Sequence, residues 1–150
     1  MELTMTIQKI KQLNHFTIHH LIEESSEEGY HFLLRLLNEY ISGINRFDKE
    51  GEGLYGVYKE DRLIAIGGIN IDPYAFQSSI GRLRRFYVSK NARRTGVGTQ
   101  LLNRIIKDAG GGFKVIVLHT DTAGAADFYT SFGFIKSDRY PQSTHCYVME

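Results

Sequence analysis

One cysteine, Cys146, stands in a chain of 150 residues. That scarcity excludes an internal disulfide framework and any metal site built from several cysteines, and it suits a reducing compartment. Net charge is almost absent: 18 Lys and Arg face 17 Asp and Glu, giving +1. Nucleic-acid-binding domains are usually strongly basic, so nucleic acid is not the expected partner. No apolar run approaches membrane-spanning length, and no basic-then-apolar leader opens the chain. Repeats, low-complexity tracts and linkers are lacking too. The expectation is a soluble cytoplasmic protein without membrane attachment, forming one domain over residues 1–150 that is large enough to bury a core.

The balanced charge is unevenly placed. Glu23, Glu24, Glu27 and Glu28 cluster early, while Arg82, Arg84, Arg85, Lys90, Arg93 and Arg94 follow one another with no carboxylate between them. A local basic patch in a neutral chain suits a small anionic ligand. Within that patch Arg93-Arg94-Thr95-Gly96-Val97-Gly98-Thr99 separates a strand from a helix. Val97, Leu101, Leu102, Ile105, Ile106 and Ala109 make one helical stripe. Three glycines, Gly110 to Gly112, then predict a left-handed stop. The helix start presents unpaired N–H groups and roughly half a positive charge. Such an end holds phosphate, and paired arginines match phosphate oxygens.

Periodicity places the other elements. Residues 4–11 alternate as a first strand, and residues 16–24 and 30–41 read as helices, with Gly43 closing the second. Residues 54–58 and 63–71 predict a hairpin around Lys59 to Arg62, and Asp72-Pro73 a turn. Residues 83–88 feed the glycine turn, and 115–118 form a buried strand. A helix over 123–132 stops at Gly133, and strands at 134–135 and 145–149 close the chain. The order predicts a mixed α+β fold, one sheet with helices on its faces.

Residues 83–134 resemble the GNAT superfamily of N-acetyltransferases. The family's pyrophosphate signature (Arg or Gln, two residues, Gly, one residue, Gly or Ala) stands as Arg93-Arg94-Thr95-Gly96-Val97-Gly98 after the strand end Phe86-Tyr87-Val88. Its second signature stands as Ala125, Phe128-Tyr129 and Gly133-Phe134. The resemblance implies a mostly antiparallel mixed sheet with helices on both faces. It also implies acetyl-CoA as co-substrate, with its pyrophosphate on the Thr95, Gly96, Gly98 and Thr99 backbone. The pantetheine arm would run beside Phe86, Tyr87 and Val88, where a backbone N–H meets the thioester carbonyl. Tyr129 takes the place of the general acid that protonates the CoA thiolate.

Two departures leave the proton acceptor open. Thr122 stands where many members carry asparagine on the CoA arm, and the strand before the turn offers arginines rather than a glutamate base. Candidate bases are His119, Glu52, Asp121 and Asp72, with bulk water as a further proton carrier. Glu52 is also a candidate acceptor contact. Arg82 and Arg84, two apart, share a strand face and are candidates to hold an acceptor carboxylate, as in an amino acid. His15 and His19 sit one helical turn apart without a third ligand, so no metal is expected. The expected activity is transfer of an acetyl group to a small-molecule primary amine, by direct attack in a ternary complex. A homodimer is left open. The alternatives are a non-catalytic acyl-CoA sensor on the same fold and a dinucleotide-binding unit. Leu101 stands where the third glycine of a dinucleotide turn belongs.

Overall fold

Val and Ile alternation in the middle of the chain builds the sheet from which everything else hangs. The computed structural model describes residues 4–149. β1 (Met5–Lys9) is followed by α1 (His15–Glu27) and α2 (Phe32–Ser42). Next come β2 (Gly53–Lys59), β3 (Arg62–Ile71) and β4 (Ile80–Val88). A 3₁₀ turn at Lys90–Ala92 leads to α3 (Val97–Ala109), β5 (Val115–Leu118) and α4 (Ala123–Phe132). β6 (Ile135–Lys136) and β7 (His145–Val148) complete one seven-stranded sheet in the order β1-β2-β3-β4-β5-β7-β6. Among the described residues only the paired strands β4 and β5 run parallel. The sheet is therefore mixed and mostly antiparallel, with helices on both faces, as expected.

Each face has its own core. α3 buries the predicted stripe from Val97 to Ala109 against Tyr55, Val57, Ala65, Ile69 and Leu83. On the opposite face Ile18 and Leu21 of α1 and Leu33, Leu36 and Leu37 of α2 pack on Leu54, Leu63 and Ile66. Fully burying one such aliphatic side chain contributes about 1.5–3 kcal/mol. The β2–β3 hairpin turns at Glu60 and Asp61, both left-handed at φ 50° and 67°, which matches the twist of the flanking strands. Asn14 caps α1 by accepting the Thr17 N–H at 3.1 Å.

Several boundaries differ from expectation. β4 begins at Ile80 because its first residues pair in parallel with β5, from Ile80↔Val115 to Arg82↔Val117. Both helices before the sheet are shifted: α1 starts at the Asn14 cap, and α2 starts at Phe32, after the turn at Gly29. Gly110 ends α3 while still right-handed, at φ −63°, so the glycine run stops the helix without the left-handed turn.

The β3–β4 ladder carries an irregularity that orders the site. Ile66 pairs with Tyr87 and Gly68 with Arg84, so Gly67 alone faces Arg85 and Phe86. This is a β-bulge, with Arg85 left-handed at φ 59°. It inverts the alternation of β4. Leu83 packs with α3, whereas Tyr87, four residues on, packs with α1 and α2. A second feature accompanies it. β4 pairs with β5 only as far as Arg82, so from Leu83 to Val88 no strand among the described residues covers its second edge.

Gly67 is required for space rather than for backbone freedom. A Cβ there lies 2.7 Å from Phe86 Cδ2 and 3.1 Å from Ile105 Cδ1. Gly67→Ala is expected to lower unfolding stability by about 1–3 kcal/mol through overpacking. Urea denaturation reads this directly, and a stability equal to the parent's contradicts the close approach.

Candidate active site

Where β4 and β5 part, a cavity of about 1170 Å³ opens between the free edge of β4 and the starts of α3 and α4. Gly96, Gly98 and Thr99 line one end, with Arg94 beside them. Gly96 is left-handed at φ 87° and precedes the first residue of α3. The first intrahelical bond runs from Gln100 N–H to the Gly96 carbonyl. Among the described residues the N–H groups of Val97, Gly98 and Thr99 meet no acceptor, and no side chain caps this end. Of these donors Gly98 and Thr99 line the cavity, and unpaired N–H groups at a helix N-terminus are suited to an anion. Arg94 stands over it, exposed and free of any ion pair among the described residues.

The other end is aromatic. Phe86, which the bulge turns toward α4, lies 5.7 Å from the Phe128 ring and 6.1 Å from the Tyr129 ring. Tyr129 is 8% exposed and lines the cavity. Its hydroxyl makes no hydrogen bond to another described residue. Burial pushes its pKa up, so the phenol stays protonated and able to donate. His119, just past β5, and the neighbouring Asp121 and Thr122 line the same wall. Thr122 Oγ1 accepts the Ala125 N–H at 3.3 Å as the α4 N-cap, which leaves its own hydroxyl proton free to donate.

Several residues singled out from the sequence are engaged elsewhere. Arg93 does not stand free for phosphate. Its Nη atoms reach the two Glu28 carboxylate oxygens at 2.8 and 2.6 Å, and its Nε donates to the Val88 carbonyl at 3.0 Å. Glu52 is buried outside the cavity lining, where it accepts from the Lys49 and Ile71 N–H groups at 3.2 and 2.8 Å. That geometry makes it a loop clamp rather than a base or acceptor contact. Asp72, also buried, pairs with Arg82 Nε at 2.8 Å. Arg82 further donates to the Pro141 and Gln142 carbonyls, so each of its three nitrogens is already engaged, two of them in holding a loop. Arg82 and Arg84 do line the same cavity, but only Arg84 is without a partner among the described residues. Thr95 directs its hydroxyl to the Ala92 carbonyl, and Val97 is core. Cys146 is a buried thiol on β7.

The Arg93–Glu28 pair belongs to a larger clasp between α1 and the glycine turn. The Tyr87 hydroxyl lies 2.5 Å from Glu24 Oε2 and 2.6 Å from Glu28 Oε1. Glu24 also accepts from the Ser89 hydroxyl and the Lys90 N–H, each at 3.0 Å. Burial alone would raise the Glu24 pKa, but these donors outweigh it and hold it below the usual range. Burial and the two carboxylates push the Tyr87 phenol up. Arg93 brings Glu28 down to about 2. Glu28, Tyr30, Phe32 and Arg35, at the end of α1 and start of α2, close the cavity's remaining side. Sequence reading missed them as site residues, since helical periodicity reports what faces the core and not what borders a gap. The one available signal was the acidic cluster at Glu24 and Glu28, opposite in charge to the basic stretch.

A sequence model of the acetyltransferase (GNAT) domain matches residues 50–136, more than half the chain. The chain belongs to the GNAT acetyltransferase family. This GNAT chain is similar in structure to an acetyltransferase-like protein from Exiguobacterium sp. 255-15, with a TM-score of 0.85, 27% identity, and 97% and 93% of the two chains covered. It shares its fold with a GNAT-family acetyltransferase from Streptococcus pneumoniae, at TM-score 0.72, 15% identity, and 98% and 100% coverage. An aminoglycoside 6'-N-acetyltransferase complexed with coenzyme A also shares the fold, at TM-score 0.71, 13% identity, and 95% and 96% coverage. No curated protein sequence matches significantly. Family membership makes the chain an acyltransferase. None of its helices, among the described residues, is long and apolar enough to cross a membrane.

The clasp of this GNAT chain has a pH signature. Because the Glu28 pKa is depressed in the folded state, its contribution is complete above about 4.5 and fades as pH falls toward about 2. Glu28→Gln is expected to cost about 1–3 kcal/mol at neutral pH, as for hydrogen bonds to charged groups. The gap to the parent closes through that acid window. Denaturant titrations at stepped pH check both signs; a gap that widens on acidification contradicts the assignment.

Proposed function

We propose that the chain is an acetyl-CoA-dependent N-acetyltransferase acting on a primary amine of a small molecule, by direct attack within a ternary complex. One observation carries this reading. The unpartnered Gly98 and Thr99 N–H donors at the start of α3 and the unpartnered Tyr129 hydroxyl open into one cavity along an uncovered strand edge. Val97, Gly98 and Thr99 would hold the pyrophosphate through their backbone, with Arg94 adding charge. The free edge of β4, Leu83 to Val88, offers backbone groups to the amides of the pantetheine arm. The thioester supplies an activated acetyl group when bound.

Each protein group then has a single task. The bulge at Arg85–Phe86 leaves backbone donors of β4 unpaired with β3, as required to meet charge growing on a carbonyl oxygen. Tyr129 Oη gives its proton to the departing thiolate sulfur. His119 lines the cavity and engages no other described residue, so its imidazole is the group suited to take the amine proton. Phe86 and Phe128 keep water from the reacting end.

Two variants test the reading. Tyr129→Phe is expected to lower kcat by about 100-fold or more, with acetyl-CoA affinity unchanged. Full turnover in that variant removes the acid role. Gly98 already stands where a Cβ meets Val88 Cγ2 at 3.3 Å and the Phe128 ring at 3.4 Å. Gly98→Val therefore fills the mouth and is expected to abolish acetyl-CoA binding by calorimetry, and retained affinity in the folded variant would sink the pyrophosphate assignment.

A further inference from the structure

The acceptor side of the cavity carries more positive charge than the fold uses. A β-bulge sets two consecutive side chains toward the same face, and here those are Arg84 and Arg85. Both line the cavity, as does Arg35 from the second turn of α2. Arg85 reaches Glu39 at 3.2 Å through one Nη, while its buried Nε has no acceptor. Burial, the charge of Arg84 and, more weakly, that of Arg35 depress the Arg85 pKa against the pull of Glu39, so Arg85 feels both neighbouring guanidinium groups. Among the described residues neither Arg84 nor Arg35 meets a carboxylate. The cavity's acids do not compensate: Glu28 is bound by Arg93, and Asp121 lies past β5 beside the α4 cap. Tyr30 and Phe32 stand next to this basic group, their rings 5.8 Å apart.

Clustered like charges without a partner are costly, and they are kept cheaply where a ligand brings the opposite sign. Guanidinium forks match the planar oxygens of carboxylate and the oxygens of phosphate. We propose that the acceptor is an anionic amine, a small molecule bearing a carboxylate or phosphate as well as its amine, with the anion seated on Arg84 and Arg35 and its apolar part against Tyr30 and Phe32. This rests on the acyl-transfer reading above. Arg82 has no part in the seat, since Asp72 and two carbonyls occupy it. The same charges disfavour an ammonium ion nearby, so they help present the amine as its nucleophilic free base.

The test is a matched amine panel scored by CoA release. An amino acid is compared with its amide and methyl ester, phosphoethanolamine with ethanolamine, and spermidine serves as the polycation. The anionic member of a pair is expected to exceed its neutral partner by about 10- to 100-fold in kcat/KM, carried by KM. The two pairs separate carboxylate from phosphate as the anion. Arg84→Ala and Arg35→Ala are each expected to erase most of that preference while acetyl-CoA affinity stays unchanged, and Arg84→Glu to favour the amide. Turnover without preference for the anion, or a preference that survives both alanine variants, overturns the anionic seat and leaves acyl transfer standing. Bound acetyl-CoA with no release from any amine overturns the N-acetyl reading instead. In that event calorimetry decides the seat: an N-acetyl amino acid must bind the CoA-saturated protein at least 10-fold more tightly than its amide, and equal or absent binding overturns it.

Discussion

One extra residue in β4 sets the arrangement of the whole site. Without the bulge at Arg85–Phe86, the alternation begun at Leu83 would carry through to Val88 and send Tyr87 to the α3 face. The inserted residue lets Leu83 pack under α3 and Tyr87 pack under α1 and α2. It also turns Phe86 toward Phe128 and Tyr129, and places two arginines together on the α2 side. The cost is local: Arg85 sits at φ 59°, and its Nε is buried without an acceptor. Gly67, with no side chain, gives the bulge the room it needs opposite.

The gap between β4 and β5 is the second condition, and it follows from lengths. β4 runs from Ile80 to Val88, whereas β5 stops at Leu118 and already has β7 on its other side. The longer strand therefore outruns its parallel neighbour, and α3 and α4 start at the rim of the space left open. Parallel strands need such crossovers, and the crossover helices deliver their N-termini to the same end of the sheet as the strand tails. A glycine turn with unpaired N–H groups, a protonated phenol and a free strand edge thus meet by topology rather than by sequence proximity.

Sequence alone displayed most of the architecture because the period-2 and period-3.6 patterns are strong here: every residue of the α3 stripe is buried. Gly96, Gly98 and Tyr129 were visible because motif spacing ties them to particular backbone positions. The side-chain partners were not. Arg93 and Arg94 are adjacent and chemically alike, yet one is held by Glu28 and the other stands free. That choice depends on α1 crossing near the turn, a contact 65 residues apart in the chain. Glu52, Asp72 and Arg82 looked like chemistry and proved to be buried clamps for the same reason, since a charge pattern does not say which opposite charge folding will bring to it. The bulge itself leaves no trace in composition.

Glu28 ends the helix whose next residues, Tyr30 and Phe32, wall one side of the cavity, and through Arg93 it also holds the glycine turn at the start of α3. The two halves of the cavity thereby share one ion pair. A displacement of Arg93 is thereby carried to the wall formed by Tyr30 and Phe32, and any coupling between ligands of the two halves is equal in both directions.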